Sequence, residues 1–387
     1  MSAKILALPL AIWMLSANPP AAADPGKFSG DILIGATLPM TGDFWHYGQS
    51  AYYGVVTRIR LLNEGGGVNG KRLVLEWRDN QSDSGKAIRD VEELGEKHRV
   101  SAIIGPLFSD SVIAINPAIE RLGIPLVTPL GAVDDIAVRF DWVFRVSSGN
   151  SAQARAMVQF QMEKYGARTC GIIYDQKHAF SIELARLFGG IFTARGGKVL
   201  GAVGFAGLDD RPDYATSLRL IADKKPDFIF AACYANEAVE LIHASKGLGV
   251  DIRFAGPEVW DNELLFIGAG TKLAGTALVS CLYEASLRYR PFQTFMEQIR
   301  QAGMDEPDAQ AASAYDAVSL LAAAMTAAKN ESPKDVHRAL LGIRNLNLAT
   351  GRTSIDANHN AVKPVLIRVV ERREDRLIPV YAERYDP

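Results

Sequence analysis

The chain has 387 residues, is 48% hydrophobic and 22% charged, and carries a formal net charge of −2. This is the composition of an ordinary globular chain, long enough for two domains. Its near-neutral charge gives no electrostatic basis for binding nucleic acid or an anionic lipid surface.

The first segment reads as a secretory signal peptide over residues 1–23. Lys4 supplies a positive start, Ile5–Ala17 an apolar stretch interrupted by Pro9, and Asn18-Pro19-Pro20 a break. Ala21-Ala22-Ala23 then forms an A-x-A cleavage site before Asp24. The apolar stretch is too short and badly flanked for a membrane span. No Cys lies near the cleavage point, which argues against a lipid anchor.

Strand and helix patterns then alternate. Strands are expected at Ile32–Thr37, Arg72–Arg78, Val100–Ile104 and Pro125–Thr128, with helices at Gly48–Asn63, Ser84–Arg99 and Val112–Arg121. After Trp142–Ser147 the alternation restarts. Helices are expected at Ala152–Tyr165, Phe180–Arg195, Pro212–Asp223 and Asn236–Leu248, and strands at Thr169–Tyr174, Lys198–Phe205, Asp227–Ala232 and Ile252–Ala255. Two such arrays imply parallel sheets covered by helices on both faces. The polar joint Ser147–Asn150 suits a hinge. Beyond Tyr283 come three helices (Pro291–Ala302, Asp308–Ala328 and Pro333–Leu341), then strands at Arg352–Ile355, Val365–Glu371 and Leu377–Tyr381. Consecutive helices suit the outer layer of a sheet already begun. The chain is therefore expected to return to its first half and cross back near the end.

Two segments carry motif-like residues. Gly65-Gly66-Gly67-Val68-Asn69-Gly70 satisfies the spacing G-x-G-x-x-G. A dinucleotide site needs a strand before that motif and a helix after it, and here the order is reversed. The glycines read as a helix end and a turn. In Gly105-Pro106-Leu107-Phe108-Ser109-Asp110-Ser111, an apolar strand stops and a helix restarts. Ser109 stands where it could cap that helix. It could equally join the free N–H groups of the first turn as an anion site. Both readings stay open on these residues.

Cys170, Cys233 and Cys281 lie in or beside apolar strand-like runs, so buried free thiols are expected. The six histidines are scattered, His46 alone lying near the expected site. No H-E-x-x-H, G-x-S-x-G or P-loop occurs, so neither an enzyme nor a metal or cofactor is expected.

An ordered set of segments resembles the leucine/isoleucine/valine-binding protein family, the solute-binding components of ABC importers. The set runs Pro39-Met40-Thr41-Gly42, Tyr47-Gly48, Asn63 to Gly70, Asp79-Asn80-Gln81-Ser82-Asp83, Ile104-Gly105-Pro106, Ile124 to Pro129 and Gly256-Pro257-Glu258. The resemblance implies a type I periplasmic binding protein. Its α/β architecture is two doubly wound lobes joined by three crossovers, with a ligand cleft between them. The crossovers fall near Ser147–Asn150, Val279–Tyr283 and Arg352–Asp356. Lobe 1 is then 28–147 plus 284–351, and lobe 2 is 148–283 plus 352–387. A periplasmic location, a monomer, a small-molecule ligand and inner-membrane ABC permease subunits as partners are implied too.

Residue by residue, the resemblance makes Ser109, with Asp110 beside it, the carboxylate-binding turn. Leu130, Gly131 and Ala132 form the strand-end loop whose carbonyl and amide meet the ligand's head group. Glu258 is the acid that pairs with an ammonium. Tyr234 and Phe180 are second-lobe aromatic walls, and Trp45 and Tyr47 close the side-chain end. This chain departs from the family at three points. Ala132 stands where a hydroxyl residue is usual, a loss of about 0.5–1.5 kcal/mol of hydrogen bonding. Ser82 and Phe108 replace both halves of a disulfide that some members carry. Phe108 also places an aromatic ring beside the anion site, making an aromatic-rich pocket. The expected function is capture of a hydrophobic or branched-chain-type amino acid by lobe closure. The alternatives are an aromatic carboxylate, amide or urea-like solute, or a ligand sensor of the same fold.

Overall fold

A computed structural model describes residues 28–206, 212–282, 288–373 and 376–387. The expected signal peptide and the Tyr283 end of the second crossing lie outside the described residues.

The first array comprises β1 (Asp31–Leu38), α1 (Trp45–Glu64), β2 (Arg72–Asp79), α2 (Ser84–Glu96), β3 (Ala102–Ile104), α3 (Ser109–Leu122), β4 (Leu126–Thr128), α4 (Asp135–Val138) and β5 (Val143–Arg145). Its strands form a five-stranded sheet in the order β2-β1-β3-β4-β5, with every pairing parallel. The strands β3, β4 and β5 are buried at every position, as strands covered on both faces must be. The glycine run behaves as a turn: Gly67 has φ +77, and a Cβ there would lie 1.9 Å from the Lys71 carbonyl oxygen.

The second array comprises α5 (Asn150–Tyr165), β6 (Thr169–Asp175), α6 (Ala179–Ala194), β7 (Lys198–Phe205), α7 (Tyr214–Ala222), β8 (Phe228–Ala232), α8 (Ala235–Leu248), β9 (Phe254–Gly256), α9 (Glu263–Gly268) and β10 (Ala277–Ser280). A 3-10 turn at Glu258–Trp260 follows β9. The last part comprises α10 (Arg290–Gln301), α11 (Ala309–Ala327), α12 (Pro333–Leu341), β11 (Leu346–Leu348), β12 (Gly351–Ile355), β13 (Ala361–Val362), β14 (Val365–Arg373) and β15 (Arg376–Tyr385). A seven-stranded sheet runs β15-β14-β10-β9-β8-β6-β7. Its two final strands are antiparallel and the others parallel.

The return to the first array is carried by α11, an alanine-rich helix buried nearly all round. Small side chains let α1 come close: a Cβ on Gly54 would lie 2.2 Å from the Ala311 carbonyl oxygen. The N-terminus of α11 is capped by Asp308, whose Oδ1 accepts from the Ala311 amide at 2.9 Å.

The segment expected to hold the third crossing, Arg352–Asp356, lies in β12 and its turn. It pairs antiparallel with β11 and β13 in a separate small sheet. Asp356 Oδ1 accepts from the amides of Asn358 and Asn360, which closes the turn locally. The turn sits on the first array: the Arg145 amide donates to the His359 carbonyl at 3.3 Å, and Phe144 stacks on the His359 ring at 4.7 Å. The chain joins the seven-stranded sheet only at Val365. All three cysteines are free and buried. No helix among the described residues is long and apolar enough to cross a membrane.

Candidate functional site

In wound sheets, loops at the carboxyl ends of the strands build the binding site. Here those loops meet face to face. From the first array come Phe44 after β1, Ser109 and Asp110 after β3, and Leu130–Ala132 after β4. From the second come His178 after β6, Tyr234 after β8 and Glu258 after β9.

Aromatic rings fill the middle. Phe44 lies 4.7 Å from Phe108 and 4.8 Å from Tyr234, centroid to centroid. Phe108 lies 5.1 Å and Phe180 5.5 Å from Tyr234. Tyr47 is fully buried and ties the halves together. Its hydroxyl donates to the Val259 carbonyl at 3.2 Å and accepts from the Ala235 amide at 2.8 Å. Trp45 points elsewhere: it is 42% exposed, with its ring edge-on to His46. Phe44, unremarked in the sequence, contacts the rings expected of it. Ser82 fixes that loop, its Oγ accepting from the Phe44 amide and donating to the Thr41 carbonyl. His46 packs on Tyr47, and burial pushes its imidazole down to about 4.

Ser109 is the first helical residue of α3, not its cap; Phe108 occupies the cap position and makes no side-chain cap bond. The Ser109 Oγ accepts from the amides of Ala132 and Val133 at 3.1 and 3.2 Å. Those two bonds leave its own O–H proton to give to an acceptor. The Ala132 carbonyl accepts from the Asn150 amide at 2.7 Å, and the Gly131 amide donates to the Thr128 hydroxyl. Leu130 is 6% exposed beside them. The Ser109 turn is thus fastened, through Ala132, to the start of α5.

Glu258 is 3% exposed, and its amide donates to the Gln153 Oε1 at 3.0 Å. Burial raises its carboxyl above the usual range; the charge of Lys363, Cys281 and the Ser148 amide pull the other way. Its Oε1 is buried with no hydrogen-bond partner. Lys363 is itself 3% exposed and donates to the Thr350 hydroxyl at 2.8 Å. Its position just before β14 gave no sequence signal.

A second polar group borders the aromatic cluster. Asp110 Oδ1 accepts from the Ala179 amide at 3.1 Å, across the cleft at the start of α6. Burial raises the Asp110 carboxyl, against the pull of that amide and of His178. Asp175, His178 and Glu237 place ligand-type atoms within 4.8 Å of one another. Burial would lower the His178 imidazole, but its bond to Asp175 and the charges of Asp175 and Asp110 hold it above the ordinary histidine value. Glu237 is driven well up by burial and by the Asp175 charge. Glu237 also takes the Tyr234 amide on Oε2 at 2.9 Å, so members of the trio have partners within the protein.

The periplasmic binding protein family matches residues 31–375. The leucine-, isoleucine-, valine-, threonine- and alanine-binding protein of Pseudomonas aeruginosa is 25% identical over 311 residues, 80% of this chain and 82% of that protein. The crystal structure of a leucine-binding protein, LivK, from Thermotoga maritima is 25% identical, with a TM-score of 0.85 over 92% of this chain and 99% of that one. An ABC-transporter solute-binding protein from Rhodopseudomonas palustris in complex with 3,4-dihydroxybenzoic acid is 20% identical, with a TM-score of 0.81 over 92% and 97%. The fold is that of the type I periplasmic binding proteins. The chain belongs to the periplasmic binding protein family, on the branch of the leucine/isoleucine/valine-binding proteins. It is an ABC-type solute-binding protein, and its family works with ABC transporter permeases.

Proposed function

We propose that this chain captures a hydrophobic or branched-chain-type amino acid in the periplasm and presents it, lobes closed, to its permease. The observation that carries this reading is the unpartnered Glu258 Oε1. A buried carboxylate oxygen lacking a donor costs about 1–3 kcal/mol or more, and a ligand ammonium supplies that donor. The Ser109 hydroxyl and the first amides of α3 take the carboxylate. Phe108, Tyr234, Phe180, Phe44 and Tyr47 enclose the side chain. Residues 28–147 with 284–362 move as one lobe and 148–283 with 363–387 as the other. Residues 1–23 are the export signal, and the mature protein acts as a monomer.

One observation favours a second reading, an aromatic carboxylate without an amine. Lys363 already offers Glu258 a positive charge inside the protein, and Ala132 lacks the hydroxyl that would help hold an amino-acid head group. Calorimetry on refolded, ligand-free protein separates the two. Leucine, isoleucine, valine, phenylalanine and benzoate form the panel. An amino-acid binder loses affinity at least about tenfold on Glu258→Gln, since a hydrogen bond between charged groups contributes about 1.5–3 kcal/mol. A benzoate binder keeps its affinity in that variant. If no member of the panel binds, both readings fail.

A further inference from the structure

We infer that the cleft carries a second polar subsite bordering its aromatic cluster, formed by Asp110 and His178, which takes a hydroxyl group of the ligand. This rests on the solute-binding reading above and narrows its substrate class to an apolar body ending in a hydroxyl.

The subsite is a cavity of about 60 Å³ whose lining includes the rings of Phe44 and Phe108 and the polar side chains of Asn80, Asp110, Ser111 and His178. That volume is far below the roughly 300–1,000 Å³ of a whole small-molecule pocket. It suits one terminal group.

The polar groups around this cavity are not equal. Ser111 and Ser84 bond to each other at 3.0 Å. Asn80 gives its Nδ2 to the Thr37 hydroxyl and takes the Ser82 amide on Oδ1. Asp110 has Oδ1 on the Ala179 amide, but Oδ2 is buried and unpartnered. His178 has Nδ1 on Asp175, which leaves Nε2 as the nitrogen for a further partner. One lone acceptor and one ring nitrogen therefore remain, supplied by opposite lobes.

The chemistry of the occupant follows. A hydroxyl donates to Asp110 Oδ2 and accepts from the His178 Nε2–H, so one small group satisfies both. A terminal carboxylate is repelled by Asp110, and a terminal ammonium, which only donates, leaves the His178 Nε2–H without an acceptor. A methyl leaves Oδ2 without a donor, a cost that a site built to bond a hydroxyl converts into discrimination. The ring contacts agree with an aromatic body. Tyr234 stands edge-on to His178 at 5.1 Å, and Phe44 edge-on at 5.8 Å, so the cavity opens directly off the aromatic cluster.

The test uses pairs that differ by one hydroxyl, tyrosine against phenylalanine and 4-hydroxybenzoate against benzoate, with leucine as reference. Dissociation constants are measured on mature protein freed of ligand by reversible unfolding. In whichever pair binds, the hydroxylated member is expected to bind at least about tenfold tighter, and Asp110→Asn to bring that ratio toward one. Should Asp110→Asn fail to fold by circular dichroism, His178→Gln supplies the same ratio. Equal affinities within the pair, a ratio unchanged by the substitution, or binding of leucine alone each overturn the subsite and leave the solute-binding reading standing. Absence of binding across all five compounds overturns both.

Discussion

Asp308 illustrates how single residues here trade charge for position. Its carboxyl caps α11, accepts from Ser50 and Asn262, and is pushed by burial up to about 7. The folded state therefore binds a proton more tightly than the unfolded chain, whose carboxyl titrates near 3.8. Stability contributed by this group is full below about pH 4 and declines as pH rises toward 7. Asp308→Asn, which keeps the cap, is expected to flatten that part of the pH–stability curve in urea melts at pH 4 to 8. An unchanged slope would show that Asp308 titrates normally. Residues of this kind were partly legible. Ser109, Tyr234 and Glu258 stand just past strand ends, Glu258 in a recognisable segment, and all three lie buried in the stretches that follow those strands. Phe44, His178 and Lys363 carry no comparable signal, because each becomes meaningful only through a neighbour far away in sequence. Trp45 and Phe44 are adjacent, and only the start of α1 decides which ring turns inward.

The alternation of strands and helices was legible almost throughout, because buried parallel strands write continuous apolar runs and their helices write a 3.6-residue period. In the small sheet β12 was legible, at Arg352–Ile355, and β11 and β13 were not. They have three and two residues, too few for a period; the Asp356 turn joins β13 to β12, and Asp316 holds the turn between β11 and β12 by accepting from the Ala349 and Thr350 amides. The contact between α1 and α11 gives an element-scale prediction. Gly54→Ala sets a methyl against the Ala311 carbonyl, and because both are helix backbone, one helix must shift. A loss of about 1–3 kcal/mol is expected, as for other overpacked cores. Urea unfolding would measure it, and a neutral result would mean that the two helices slide freely.

The two arrays are tied by bonds made between loops rather than between sheets. Tyr47→Phe removes the hydroxyl that serves both Val259 and Ala235, leaving a buried amide without an acceptor. The closed form should lose about 0.5–1.5 kcal/mol. The ligand-free protein then shows a larger radius of gyration by small-angle X-ray scattering, and ligand binding weakens about 2- to 10-fold. If both quantities stay at their wild-type values, the Tyr47 bonds contribute nothing to closure.

The interrupted topology also sets when this molecule can fold. The core under α1 waits for α11, more than two hundred residues later, and β10 waits for β14 to cover its edge. Neither half can finish from the portion of chain that emerges first, so local pieces gain little by collapsing early. Both halves therefore complete their packing only once α11, β14 and β15 have joined.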